Sequence, residues 1–178
     1  MVVPDTKDWT WVLDRPCPEC GFDAGGCRND EVAGLVRQNA RVWNRLLTDG
    51  AIVPGRPSDS SWSSLEYACH VRDVYRLFRT RIRLMLKDDD PLFDNWDQDA
   101  SAVEDRYDSQ VPEVVVAELA AAAEAMATQL DEVTDGQWQR PGRRGNGSSF
   151  RVETIARYMV HDPIHHVWDV TGDRAAGD

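Results

Sequence analysis

The residues of this chain best suited to chemistry lie together in Tyr158-Met159-Val160-His161-Asp162-Pro163-Ile164-His165-His166-Val167-Trp168-Asp169, which holds three of its four histidines. His161 and His165 stand four residues apart, so on an α-helix both imidazoles occupy one face, one turn above the other. With that spacing a single helix presents two nitrogen ligands to a divalent metal. The remaining histidine, His70, lies in another strongly helical stretch. From a neighbouring helix it would supply a third ligand, leaving a fourth position open to water or substrate, as a catalytic metal requires. The competing reading is of partly buried histidines near a helix C-terminus, where a cation is mildly favoured.

Those ligands need a scaffold, and the apolar spacing supplies one. Val32, Leu35, Val36, Asn39, Val42, Trp43, Leu46 and Leu47 recur at three- and four-residue steps after Asn29 or Asp30 as N-cap, and the helix stops near Asp49-Gly50. A proline- and glycine-rich link through Pro54-Gly55-Arg56-Pro57-Ser58 follows. Ser63 or Ser64 opens a second helix, with Glu66 placed for a capping box, and its apolar stripe runs to Lys87. His70 falls in its second turn, with Asp73 one turn on as a candidate to orient the ring. The third helix starts at Val111-Pro112-Glu113 and runs to about Val133. The fourth begins near Arg151, carries the histidines and ends by Gly172, with Pro163 expected to bend it. Between helices two and three, the acidic and aromatic stretch from Asp88 to Gln110 reads as a long crossover or lid. Gln137 to Ser149, with Pro141, Gly142, Gly145 and Gly147 around Arg143 and Arg144, reads as a flexible basic loop. The fold expected is therefore all-α: a four-helix bundle over residues 30–178, with residues 1–29 as an irregular arm whose Trp9, Trp11, Val12 and Leu13 press it onto the bundle.

The arm carries Cys17-Pro18-Glu19-Cys20-Gly21, which has the form of a zinc knuckle, the glycine allowing a tight turn that aims both thiolates at one metal. A closed site needs four ligands. Cys27 is a third candidate, Cys69 sits beside His70 in a helix, and no second Cys-x-x-Cys follows, so the knuckle stands as half a motif with no catalytic role expected of its cysteines.

Composition bounds the partners. A chain of 178 residues fits one domain, and 20 Lys+Arg against 31 Asp+Glu give a net charge of −11, which disfavours nucleic acid and anionic membrane surfaces. No apolar run reaches the roughly 18 residues of a membrane span, and the N-terminus lacks a signal-peptide pattern. A cytoplasmic protein with reduced cysteines is expected, and exposed apolar positions on such a bundle suit a homodimer.

Tyr67-Ala68-Cys69-His70-Val71-Arg72-Asp73 in helix two, His161-x-x-x-His165 in helix four and the long crossover resemble the DinB-like superfamily of metal-dependent bundles. The knuckle together with Asn95-Trp96-Asp97-Gln98-Asp99-Ala100, Val103-Glu104-Asp105-Arg106-Tyr107 and the helix-four signature resembles the branch associated with mycothiol-using bacteria, over nearly the whole chain. The superfamily includes thiol S-transferases and mycothiol-dependent maleylpyruvate isomerase. The resemblance implies His70, His161 and His165 as ligands of zinc, nickel or another divalent ion, with His166 competing for the third place. It implies activation of a low-molecular-weight thiol such as mycothiol for attack on an electrophile, in a detoxification role. Trp62, Trp96, Arg143 and Arg144 are candidates for the substrate pocket, and Asp73 and Asp162 for supporting carboxylates. Metal-assisted hydrolysis or isomerisation, and a non-enzymatic metal-binding stress protein, are the alternatives.

Overall fold

A computed structural model describes residues 8–48, 55–58 and 61–174. The expected end of helix one at Asp49-Gly50, the start of the following link at Pro54 and the first seven residues of the arm lie outside that range. Four long helices form: α1 (Asn29–Thr48), α2 (Ser64–Lys87), α4 (Pro112–Asp131) and α5 (Val152–Thr171). A short α3 (Gln98–Glu104) sits in the crossover.

Local chemistry explains each boundary. Ser63 Oγ accepts the Glu66 amide while the Glu66 carboxylate accepts the Ser63 amide, the reciprocal cap that starts α2. Pro112 opens α4 where its missing N–H costs nothing. Gly172, at φ +75°, ends α5 with its amide bonded to the Trp168 carbonyl. The helix runs unbroken through Pro163.

Two of the three connections between successive long helices, α1 to α2 and α4 to α5, run across a diagonal of the bundle, whereas α2 and α4 pack side by side. α4 lies against both α1 and α2, and so does α5, whereas α1 and α2, like α4 and α5, face each other across diagonals. Buried Ala122, Ala123 and Ala127 let α4 approach both partners closely. A polar string crosses the core where these helices meet. Tyr75 of α2 donates its hydroxyl to Asn39 Oδ1 of α1 (2.8 Å), Asn39 Nδ2 donates to the Pro163 carbonyl of α5 (2.9 Å), and the Trp43 indole N–H reaches the same carbonyl (3.4 Å).

The stretch from Gln137 to Ser149 is not the free loop that its glycines and arginines suggest. β1 (Leu92–Phe93), β2 (Pro141–Arg144) and β3 (Ser149–Arg151) form a small sheet in that order, with β1 parallel to β2 and β2 antiparallel to β3. The glycines serve close approach and turning. A Cβ on Gly142 would come within 2.7 Å of the Met85 side chain and 3.0 Å of Phe93, and Gly147, at φ +94°, follows Asn146 in the hairpin turn. Among its described residues the arm is irregular apart from one 3-10 turn, Thr10–Leu13, packed on α5, and it buries Val12, Cys17, Cys20, Ala24 and Cys27. Among the described residues no helix is long and apolar enough to cross a membrane.

Two outcomes test this packing. Asn39→Leu should cost about 1–3 kcal/mol by leaving the Tyr75 hydroxyl buried without an acceptor. In denaturant melts, the double variant with Tyr75→Phe should lose less than the two single losses added together. Glu66 is buried and accepts from Arg56 Nε at 3.1 and 3.0 Å as well as from Ser63. Burial raises its carboxyl pKa, but the Arg56 guanidinium and Ser63 more than offset this, leaving it below the ordinary 4.5. A depressed folded pKa gives stability that is complete above the unfolded value and lost as pH falls through the folded one. Glu66→Gln should therefore be less stable than wild type at neutral pH, with the gap closing below pH 4.5, as read from melts across that range.

Candidate metal centre

α5 carries two i,i+4 pairs offset by one residue: His161 with His165, and Asp162 with His166. Successive positions on a helix point about 100° apart, so the two pairs face different neighbours. One meets α2 and the other meets the arm.

In the first group His70 of α2, Asp162 and His166 bring one ligand atom each within 4.8 Å of one another. Asp162 Oδ1 lies between the rings, 3.3 Å from His70 Nε2 and 3.5 Å from His166 Nε2. His70 is fully buried, and neither of its ring nitrogens, nor Asp162 Oδ1, has an aligned hydrogen-bond partner. Buried polar atoms are almost always paired, and two imidazole nitrogens converging with a carboxylate oxygen are a donor set that a divalent cation satisfies. Asp162 as a residue is about a third exposed, yet the oxygen facing His70 is buried. Burial raises its pKa, and the imidazoles of His70 and His166 outweigh that and hold it well below the usual carboxylate range. His166 Nδ1 is 2.7 Å from Asp169 Oδ2. A carboxylate there keeps the proton on Nδ1 and leaves Nε2 as the electron-pair donor toward the cluster.

Aromatic side chains enclose this group. Trp96 from the crossover stacks on His70 with centroids 5.1 Å apart and planes 5° apart, Trp62 sits 5.2 Å away on another side, and Tyr67 lies 4.9 Å from His166.

The second group joins the arm to α5. Cys17, Cys20, His161 and His165 are all buried, with one ligand atom from each within 4.8 Å of the others. Cys17 Sγ is 3.6 Å from His165 Nδ1, and His161 Nε2 has no hydrogen-bond partner. The knuckle turn is closed by the Gly21 amide bonding to the Cys17 carbonyl (2.9 Å), with Gly21 at φ +80°. Trp9 lies 5.7 Å from His161 and 5.0 Å from His165, and Trp168 flanks His165 at 5.3 Å. Burial, reinforced by His165, lowers the His161 pKa to about 4. Burial likewise pushes the Cys20 thiol up, although the Phe22 amide acts in the opposite sense.

The three histidines expected to share one ion are thus divided. His161 and His165 face the cysteines, whereas His70 meets Asp162 and His166. Trp62 and Trp96 do line the His70 group. Asp73 does not orient His70, because guanidiniums outbid it: Arg72 (2.9 and 2.8 Å) and Arg76 (3.1 Å) hold its carboxylate, together with the Tyr107 hydroxyl (2.6 Å). Arg143 is half-exposed and paired with Asp90 at 2.8 Å. Arg144 lies over Tyr158, one turn of α5 before Asp162. Cys27 belongs to neither group, and Cys69, 3.5 Å from the Gln110 side chain, has its thiol pushed up to about 12 by burial. Asp169 was missed by sequence reasoning; its place three residues after His166 was the available signal.

No curated protein matches the chain. Among solved structures it resembles YfiT from Bacillus subtilis, described as a probable metal-dependent hydrolase with an unusual four-helix bundle topology. The TM-score is 0.69 at 16% identity, covering 81% of this chain and 86% of that one. The two share the fold. The family model for the DinB superfamily matches residues 32–170, most of the chain, and the protein belongs to that superfamily.

Proposed function

We propose that the protein is a metal-dependent thiol S-transferase whose divalent ion, zinc or nickel, is held by His70, Asp162 and His166. The observation that carries this reading is the convergence of two imidazole nitrogens and a carboxylate oxygen inside an aromatic enclosure, with His70 Nε2 and Asp162 Oδ1 buried without an aligned hydrogen-bond partner. A bound divalent ion with an open position supplies Lewis acidity, which lowers the pKa of a thiol or a water molecule toward neutrality.

The chain's own residues do the rest. Asp169 fixes the tautomer and ring plane of His166. Trp62 and Trp96 shut bulk water away from His70 and offer flat apolar walls for the electrophile. Arg144, at the Tyr158 edge of α5, offers a cation to the polar part of a sugar-like thiol such as mycothiol. The two carboxylates nearest the group are already engaged, Asp162 as a donor and Asp169 with His166. That favours a thiol, acidic enough to lose its proton without a dedicated base, over water. Hydrolysis is the second reading, favoured by the fold shared with YfiT and by that protein's description.

His70→Ala, Asp162→Ala and His166→Ala should each lose one equivalent of metal by elemental analysis and, with it, conjugation of mycothiol to a generic electrophile. Asp169→Asn should keep the ligands but weaken metal binding by about 10–100-fold in a competition titration with a chelator. Ester or amide cleavage without thiol would turn the assignment to the second reading. Full metal content in all three alanine variants would remove the site.

A further inference from the structure

We propose that Cys17, Cys20, His161 and His165 form a second, closed zinc site that fastens the N-terminal arm to α5 and takes no part in turnover. The donors are two thiols and two imidazoles, the set used by four-coordinate structural zinc, in the order Cys-x-x-Cys and then His-x-x-x-His. Their ligand atoms lie within 4.8 Å of one another, and all four residues are buried, with Cys20 at 0% and Cys17 at 1% exposure. Burial with four protein donors leaves no open coordination position, which separates this site from the His70 group.

Charge and geometry agree. Zinc displaces one proton from each thiol, and two thiolates with two neutral imidazoles then cancel the 2+ charge, so the closed centre is neutral and can be buried without a counter-ion. His161 Nε2 is buried with no hydrogen-bond partner, and a metal would take up its lone pair. The Gly21 amide closes the turn on the Cys17 carbonyl, bringing Cys17 and Cys20 together, and Gly21, in the left-handed region, lets the chain leave it. Among its described residues the arm has only a 3-10 turn of regular structure, and Trp9 packs against the histidine rings. A metal crosslink between sequence positions this far apart supplies the order that the arm's own backbone does not.

The proposal stands independently of the His70 assignment, and the test keeps the two apart. Wild-type protein purified under reducing, anaerobic conditions should contain two metal ions per chain, and the Cys17→Ser and Cys20→Ser variants one. The His70→Ala/His166→Ala double variant should also contain one, retained at the cysteine site. Cobalt substitution of wild type should give the intense thiolate-to-cobalt charge-transfer band of a tetrahedral site. Cys20→Ser should abolish that band and expose the bond after Arg28 to trypsin. The cobalt spectrum of wild type decides the matter alone if the serine variants do not fold. A cobalt-loaded wild type without a thiolate band, or a Cys17–Cys20 disulfide in protein kept reduced throughout, would overturn the proposal.

Discussion

The rotation of α5 about its own axis is the constraint on which both groups depend. His161 and Asp162 are neighbours in sequence, yet one points to the arm and the other to α2, because each residue turns the helix by about 100°. A slip of one position would carry one pair to the other's place and leave its own place without donors. The Pro163 carbonyl, inside the span of both pairs, is where the rotation is pinned: Asn39 and Trp43 of α1 both donate to it, and Asn39 is itself held by the Tyr75 hydroxyl of α2. α1 thus grips α5 directly, and α2 does so through Asn39.

The crossover is bound to the bundle by charge. Arg72 reaches Asp73, Gln110 and Glu118, and Asp73 takes the Tyr107 hydroxyl, so the C-terminal end of the crossover is tied to α2 and α4 by one network. At its other end Arg81 donates to the Asp94 carbonyl (2.7 Å), while burial lowers that guanidinium's pKa to about 10. Trp96 lies between these anchors, with its indole N–H bonded to Ser101 Oγ (2.7 Å) and its ring on His70. Asp73 therefore acts on the His70 cleft indirectly, by holding the crossover that carries the stacking ring.

The helices were legible because each has its apolar stripe, and two carry a local signal at the start, the Ser63 and Glu66 cap of α2 and Pro112 of α4. The small sheet was not, since β1, β2 and β3 are two to four residues long and are fixed by Arg143 bonding to the Pro91 carbonyl and Gly145 to that of Phe93, contacts between segments about fifty residues apart. Of the candidate site, the histidines, Asp162 and the two tryptophans could be named from sequence, but not their grouping. The His161 and His165 pair is the conspicuous one, and Asp162 with His166 repeats its spacing beside it with a carboxylate in place of a ring. Choosing between the pairs requires knowing which side of α5 faces α2, and no local pattern states that. Cys17 and Cys20 read as half a site for the same reason, the other half being supplied across 148 residues of sequence between Cys17 and His165.

Asp169 links the two groups. One of its oxygens lies 2.7 Å from His166 Nδ1, and the other lies 3.8 Å from His165 Nε2. His165 is also 3.5 Å from Glu19, inside the Cys17 to Cys20 turn. The ring plane of His166, and with it the lone pair offered toward Asp162 and His70, is therefore set by a carboxylate that also feels where the arm places its neighbour. An arm that merely covered α5 would leave the cleft unaffected when it moved. Here its seat and the orientation of a candidate metal ligand share one side chain, so order in the Cys17 to Cys20 turn contributes to preorganisation of a centre built entirely from the helices behind it.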